Sequence, residues 1–421
     1  AAGIWTPLLV GLATVLGDVA VSHYEAYGAW ALPVFISLIA TVYLVSHWVP
    51  PLLTWRGRRM EYGRWQRLTR WEFWPWWVLY TPIIAYILYR SFLRDRVPSV
   101  FTLANPAIPL GGFVGESKIA ILSGLQGAGE AVASWVPLPS GEGVEAWQAR
   151  IAAWQAALAS KGSSAWPVVL KPDAGERGAG VQIIEAADDL PAALREAACG
   201  GRSWLVQAYV PGCEYGVYYY RHPDKPSGKV VGIVDKRPTW VTGDGKRTLE
   251  ELILADDRAV CMAPTFLETF ADRLEDIPAA GERVTLAALG VHSRGALFLD
   301  GCHLIPTALE AEIERISRSF DGFYLGRYDI RVPCEADLLA GRNLKVIELN
   351  GLTSEPTWMY DPRHSIGYAW KALREHWARA YAIGMALYRT GKRPVAPRRV
   401  WGIIGRFLVG KEVTAEHLGD T

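Results

Sequence analysis

Two short stretches late in the chain hold the residue types that oxygen-liganded metal chemistry requires: Gly326 to Arg331 (GRYDIR) and Lys345 to Gly351 (KVIELNG). Glu348 and Asn350 are two apart, so on a strand they share one face, while Ile347 and Leu349 take the other. With Asp329 from a neighbouring strand they would offer three oxygen ligands, a set that suits Mg2+ completing its octahedron with phosphates and water. Carboxylates set among apolar residues are costly to bury unless a metal or a cation answers them. Plain surface placement is the alternative reading.

Two further stretches could hold a nucleotide. Trp166 to Ile184 (WPVVLKPDAGERGAGVQII) is an apolar strand ending in Lys171, a loop with Gly175, Gly178 and Gly180, and a second apolar strand. Small residues let backbone N–H groups close over phosphate oxygens while Lys171 supplies charge. It is neither a Walker loop nor a dinucleotide fingerprint, because GK[ST] is missing and no helix follows. A glycine-rich hairpin turn would look the same. Trp204 to Tyr220 (WLVQAYVPGCEYGVYYY) brings Gln207 on a strand, exposes the backbone of Tyr209 and Val210, turns at Pro-Gly and re-enters a strand behind Glu214. Adenine needs one donor and one acceptor, and ribose hydroxyls suit a carboxylate; an ordinary hairpin with a surface Glu is the simpler alternative.

These residues need an α/β scaffold. Short β-branched runs at 168–171, 181–184, 205–209, 230–235 and 345–349 alternate with helical stretches at 144–159 and 308–320, and 137–143 and 161–164 read as loops. No internal repeat or low-complexity tract is present. The net charge of +1 provides no field for nucleic acid. Cys199, Cys213, Cys261, Cys302 and Cys334 are scattered and odd in number, which argues against a zinc site or disulfide framework and fits buried thiols in a reducing compartment.

The first 53 residues are different in kind, carrying only Asp18 and Glu25 as formal charges, and nine of the 19 tryptophans precede residue 96. Residues 26–53 form an uncharged run of 28, longer than the roughly 20 needed to cross a bilayer core, with Trp30 and Trp48 near its ends. Residues 4–21 are a weaker candidate. Residues 73–89 are a third, interrupted by Pro75 and Pro82. Between the second and third lies 54–71, an arginine-rich loop with Arg56, Arg58, Arg59, Arg64, Arg67 and Arg70 against Glu61. Such a loop stays cytoplasmic, so the expectation is a two-helix hairpin followed by a segment that dips in or lies flat without crossing. The tail at 398–411 places Trp401, Ile404 and Leu408 on one helical stripe flanked by arginines, a pattern of membrane surfaces or of docking on the chain's own domain.

Together the motifs resemble the ATP-grasp superfamily, specifically carboxylate–amine ligases such as D-alanine–D-alanine ligase and glutathione synthetase, over roughly residues 115–361. The RWEFWP and NP-IPLGGFVGESK types of stretch also resemble uncharacterised bacterial membrane-associated ATP-grasp proteins. The resemblance implies ATP and Mg2+ as cofactors, with Lys118, Lys171, Gly178, Gly180, Gln207, Tyr209, Val210 and Glu214 around the nucleotide. It implies Asp329, Glu348 and Asn350 as metal ligands, and Arg327 with Lys236 or Arg237 at the transferred phosphoryl group. His292, Arg294, Glu355 and Tyr360 are substrate-pocket candidates. The fold class expected is an α/β ATP-grasp fold preceded by a helical membrane domain: 1–95 membrane, 96–165 a reduced N-terminal subdomain, 166–362 the ATP-grasp core, 363–421 a C-terminal helix and basic amphipathic tail. The implied function is a ligase joining a small-molecule carboxylate to an amine or other nucleophile through an acyl phosphate, at the bacterial inner membrane with its soluble part facing the cytoplasm. A non-catalytic or kinase-like subunit of a membrane complex is the alternative. The bilayer and other membrane proteins are the partners expected, and nucleic acid is not.

Overall fold

The computed structural model describes residues 30–408 except 163, 165, 176 and 177, together with 10, 11, 14, 15, 17 and 18. The expected helix at 4–21 therefore lies largely outside the described residues. The chain divides into two compact units, one of residues 1–66 with 242–282 and one of 67–241 with 283–421.

In the larger unit, strands β1 (Trp135–Leu138), β2 (Val168–Pro172), β3 (Gln182–Ile184) and β4 (Trp204–Ala208) form an antiparallel sheet in the order β1-β4-β2-β3. The helices Val144–Ser160 and Leu190–Ala198 bury Trp147, Ile151, Leu190 and Leu194 in the same core as Val168, Leu170 and Val206 of this sheet. The expected boundary at 166 thus falls inside one layer pair, since β1 and the helix before β2 belong to this lobe. Pro137, expected in a loop, is in β1, paired with Leu205.

A second antiparallel sheet orders β11 (Lys345–Asn350), β10 (Leu325–Val332), β5 (Cys213–Tyr220), β6 (Lys229–Arg237) and β9 (Leu297–Asp300). Leu309, Ile313 and Ile316 of the helix Thr307–Arg318 cluster with Val217, Ile233 and Tyr328 of this sheet. Tyr218, Val234 and Phe298 cluster instead with Trp377 and Tyr381 of the long helix Ile366–Arg389. The alternation of Val217, Tyr218 and Tyr219 between these two cores is the period-two signature of a central strand. A two-stranded ribbon, β7 (Thr239–Thr242) with β8 (Arg283–Ala287), brackets the excursion 242–282. Of the five thiols expected to be buried only Cys261 is fully so; Cys199, Cys213 and Cys334 are exposed, and none is in a disulfide.

Residues 73–89 form no continuous span. Trp71–Phe73 is a single tight turn, Pro75 sits at the N-cap, and a helix runs Trp76–Leu88 before a π-helical turn, Tyr89–Arg94. Leu79 and Ile83 are buried in the core built around Ile366–Arg389, and the Trp370 indole donates to the Leu79 carbonyl at 3.2 Å. In the tail, Pro397–Leu408 is helical and packs on its own domain: Val400 and Ile403 are buried, with Leu110, Phe113 and Val395 around them, and Trp401 is exposed.

In the smaller unit Ala31–Leu53 is a helix, and the arginine-rich stretch is not a loop but the start of a second helix, Trp55–Thr69, with no proline to break it. Its arginines have protein partners. Arg59 donates to the Leu254 and Ala255 carbonyls at 2.6 and 3.0 Å, and Arg56 pairs with Glu250. The acceptors are the last carbonyls of the helix Leu249–Ala255, whose start is closed by a Thr248–Glu251 capping box. A guanidinium there satisfies orphan carbonyls and complements the negative helix end. A Cβ on Gly63 would stand 2.4 Å from the Val260 carbonyl oxygen, so this helix and the excursion pack backbone to backbone. Arg59→Ala should cost roughly 1.5–3 kcal/mol, the scale of hydrogen bonds to a charged group. Faster hydrogen exchange across 249–262, with the larger unit unchanged, is the expected reading.

Candidate active site

Strand β10 carries the centre of the site. Arg327, Asp329 and Arg331 alternate with buried Tyr328 and Ile330, so all three charged side chains share one face. In the antiparallel register Asp329 stands opposite Glu348 of β11 on one side and Gly216 of β5 on the other. Arg327 pairs with Asn350. The convergence expected of Asp329, Glu348 and Asn350 is therefore built by two adjacent strands. Gly216 makes room for it: a Cβ there would come within 3.0 Å of Arg327 Cδ and 3.3 Å of Asp329 Oδ1.

Asp329 is buried and held by two cations, Arg327 Nε at 2.9 Å and Lys236 Nζ at 3.0 Å. Burial alone would raise its carboxyl; the Arg327 and Lys236 charges outweigh it and hold it down at about 2. For Arg327 the balance runs the other way, burial opposing the charge and Asp329 raising the guanidinium further. Lys236 also reaches Glu214 at 3.1 Å, and Glu214 pairs with Arg331 at 3.1 Å. A Cβ on Gly290 would stand 2.2 Å from Glu214 Oε1, so this ion pair requires a glycine beside it. Arg331 is a member that the sequence reading passed over, although its spacing of two from Asp329 marks the shared face. It also donates to the Val210 carbonyl at 2.8 Å and lies over the Tyr209 ring, tying the hinge between β4 and β5, residues 209–212, to β10.

Lys171 projects from β2, donating to Gln207 Oε1 at 2.7 Å and to the Ile347 carbonyl at 3.3 Å. Burial pushes its ammonium down. Lys118, at the start of the helix Lys118–Gly124, donates to the Gly175 carbonyl at 2.8 Å and lies 3.8 Å from Glu348. Lys118, Lys171, Leu205 and Glu348 line one small cleft between the two sheets. Five cations (Lys118, Lys171, Lys236, Arg327, Arg331) meet three carboxylates (Glu214, Asp329, Glu348) across this site. That surplus of positive charge in partly buried surroundings suits a polyanion. Two buried amide nitrogens, Gln207 Nε2 and Asn350 Nδ2, have no hydrogen-bond partner, which marks where a ligand would complete the set.

Several expected residues fall elsewhere. Arg237 follows Lys236 and so points to the opposite face, where it is exposed and pairs with Asp235 at 2.7 Å. The Tyr209 N–H is given to the Pro167 carbonyl at 3.2 Å, and Val210 O to Arg331, so neither hinge group is open in this arrangement. Gly178 and Gly180 take left-handed conformations in the loop between β2 and β3. Arg294 is exposed.

His292 and Glu355 join a second cluster built partly by the N-terminal stretch. His292 Nε2 lies 3.0 Å from the buried Glu72 carboxylate, and its ring stacks on Tyr360 with centroids 4.6 Å apart. Tyr360 and Tyr80 both donate to Glu355, at 2.9 and 2.5 Å. Two connections tie this cluster to the charged centre: Arg327 Nη1 faces the Glu355 carbonyl at 3.5 Å, and Phe298 lies between His292 and the Lys236 ammonium. Sequence reasoning missed Glu72 and Tyr80 because nothing local shows that residues 71–80 meet a segment 275 positions later.

For the metal, Asp329 and Glu348 on facing rungs and the amide of Asn350 are hard oxygen donors of the kind Mg2+ takes. Among the described residues no three His, Cys, Asp or Glu side chains converge, so the amide is needed as the third donor.

No family model matches the chain. A segment of 91 residues is 36% identical to cyanophycin synthetase from Geminocystis herdmanii, covering 21% of this chain and 10% of that one. Cyanophycin synthetase from Trichormus variabilis is 34% identical over 89 residues, 21% of this chain and 9% of its own length. The chain thus spans about a tenth of the length of these curated relatives. Among solved structures, D-alanine–D-alanine ligase from Bacillus anthracis is 13% identical with a TM-score of 0.40, covering 68% of this chain and 72% of that one. A bifunctional glutathione synthetase from Pasteurella multocida is 18% identical with a TM-score of 0.36, covering 64% and 37%. By name these relatives and neighbours are synthetases and a ligase.

Proposed function

We propose that this chain is a membrane-anchored, ATP-dependent ligase that joins a small-molecule carboxylate to an amine through an acyl phosphate. The observation that carries the reading is the buried Arg327–Asp329–Lys236 constellation facing Glu348 and Asn350, with Lys118 and Lys171 alongside. Fixed cations aimed where phosphoryl charge develops are how phosphoryl-transfer sites lower their barrier. In the first step the bond from the γ-phosphorus to its bridging oxygen breaks as the substrate carboxylate oxygen bonds to phosphorus, and ADP departs. In the second the amine attacks the acyl carbon, phosphate leaves, and one amine proton is lost. Lys171 and Lys118 hold polyphosphate oxygens, and Gln207 Nε2 offers a donor to the base. Arg327 faces both the phosphoryl centre and the Glu355 carbonyl, and so fits the tetrahedral centre of the second step. Bound Mg2+, held by Asp329, Glu348 and Asn350, would neutralise phosphate charge.

Lys171→Ala is expected to weaken ATP by roughly 1.5–3 kcal/mol. Calorimetry with unchanged affinity would place the phosphate site elsewhere. The activity is tested by incubating the purified full chain with ATP and panels of carboxylates and amines. ADP release requiring both, with an amide product by mass spectrometry, supports a ligase; a phosphoester product identifies a kinase-like transfer instead. Lipidomics and metabolomics of a deletion strain narrow the panel.

The anchor is the helix over Leu32–Leu53, 22 residues at mean hydropathy 1.8 with none of its apolar window buried. Arg56 and Arg59 bond to residues of the excursion 242–282, which leaves and re-enters the chain between β7 and β8. The arginine-rich helix and the ATP-binding strands then share one side of the bilayer, the cytoplasmic side of a bacterial inner membrane, and residues 73–89 do not cross. Gly63 packs on Val260 and leaves no room for a cysteine, whereas Arg64 beside it is exposed and is the position to label. Reaction of Arg64→Cys with an impermeant thiol reagent from the cytoplasmic side alone is expected.

A further inference from the structure

The helix Trp76–Leu88 has two unlike faces. One buries Leu79 and Ile83 in the core and sends the Tyr80 hydroxyl to Glu355. The other leaves Trp77, Ile84 and Leu88 on one stripe, with Trp76 before it and Phe92 and Leu93 after it, all 40–70% exposed. Single exposed apolar residues need no explanation, but a run of six large ones along one element marks an interaction surface. The charges around it have one sign. Between residues 67 and 96 the acids are Glu72, buried beside His292, and Asp95, paired with Arg90, while Arg67, Arg94 and Arg96 are exposed.

We propose that this face is seated in the interface of an anionic bilayer. An apolar stripe with tryptophans at its start and arginines at both ends is the chemistry of a helix lying in the headgroup layer, with anionic lipid answering the arginines. The occupant is further argued by the chain itself, because only 22 residues lie between the uncharged helix over Leu32–Leu53 and Trp76. A helix is about 10–12 Å across with its side chains, so the Glu355 carboxylate, which accepts from Tyr80 of this helix, then lies about one helix diameter from the lipid. The acceptor side of the site would open to the headgroup layer, and the substrate class it fits is an amphiphile whose reacting group lies there. This rests on the anchor reading above.

The test uses the full chain in vesicles of phosphatidylethanolamine and phosphatidylglycerol, with its five cysteines replaced by Ser and nitroxide on single cysteines. The labelled positions are Ile84, Leu88, Val34 and, as an exposed control, Ala149. Melting curves first select the variants that fold, and Ile84 and Leu88 serve as independent reporters. Oxygen should relax the labels at Ile84 and Leu88 more than a water-soluble nickel chelate does, with the reverse order at Ala149. Labels at Ile84 and Leu88 that behave like Ala149 overturn the proposal. So does spin–spin broadening between molecules, which would mean that a second copy covers the face. If Val34 reads as lipid-exposed while Ile84 and Leu88 read as water-exposed, the anchor stands and only this inference fails. If all three read as water-exposed, both fail.

Discussion

Glu348→Gln is expected to lower ATP turnover by roughly 10²–10³-fold, the usual cost of removing one preorganised group that answers transition-state charge, while leaving the melting temperature nearly unchanged. Glu348 is half-buried and its nearest cation, Lys118, is 3.8 Å away, so the folded protein loses little when the charge goes. Asp329→Asn should behave differently. Its carboxylate answers Arg327 and Lys236 at 2.9 and 3.0 Å in a buried position, and removing it leaves two cations facing each other. Breaking a buried pair by removing one partner costs about 3–5 kcal/mol, so this variant should lose turnover and stability together. The contrast separates chemistry from folding. Scanning fluorimetry gives the second readout, and the Mg2+ dependence of ATP affinity gives a third, expected to vanish in both variants. A folded Glu348→Gln protein with full turnover and unaltered metal dependence would remove the oxygen-ligand assignment.

The charged centre was legible in the sequence because strand periodicity is local. Glu348 and Asn350 two apart, with Leu349 between them, force one face, and the observed register then sets Asp329 against Glu348. The same rule decides between neighbours: Lys236 lies inside the site, so Arg237 cannot, and it pairs outward with Asp235. The second cluster was not legible. Glu72 and Tyr80 reach His292 and Glu355 across more than 200 residues, and such contacts depend on tertiary folding that no spacing encodes. The arginine stretch misled for a related reason. Six arginines before an apolar segment have the composition of a cytoplasmic loop, but Arg59 serves instead to close the end of the helix Leu249–Ala255, and Arg56 pairs with Glu250 in its first turn. The extent of the first lobe was also hidden, because β1 joins its sheet by pairing with β4, more than sixty residues further on.

Acid should weaken the fold between about pH 6.5 and pH 4 through His376. This ring is buried in the core around Ile366–Arg389, with Nε2 donating to the Leu352 carbonyl at 2.7 Å and Nδ1 accepting from the Tyr218 hydroxyl. Burial pushes it down to about 4, against an ordinary value of 6.5, and the Leu352 carbonyl recovers only part of that. As pH falls below 6.5 the unfolded chain takes up the proton first, so stability is full above that value and declines until the folded ring also protonates near 4. Across that window the loss amounts to roughly 3 kcal/mol. The consequence reaches the site, because Leu352 lies between Asn350 and Glu355 and its carbonyl accepts from the His376 ring. His376→Gln keeps a donor for Leu352 and an acceptor for Tyr218 but cannot titrate. Denaturant midpoints measured from pH 7.5 to 4.5 should fall steeply for the natural protein and much less for the variant. Equal slopes would mean that the proton is taken up elsewhere, and that His376 does not hold the loop between the metal strand and Glu355 in a protonation-dependent way.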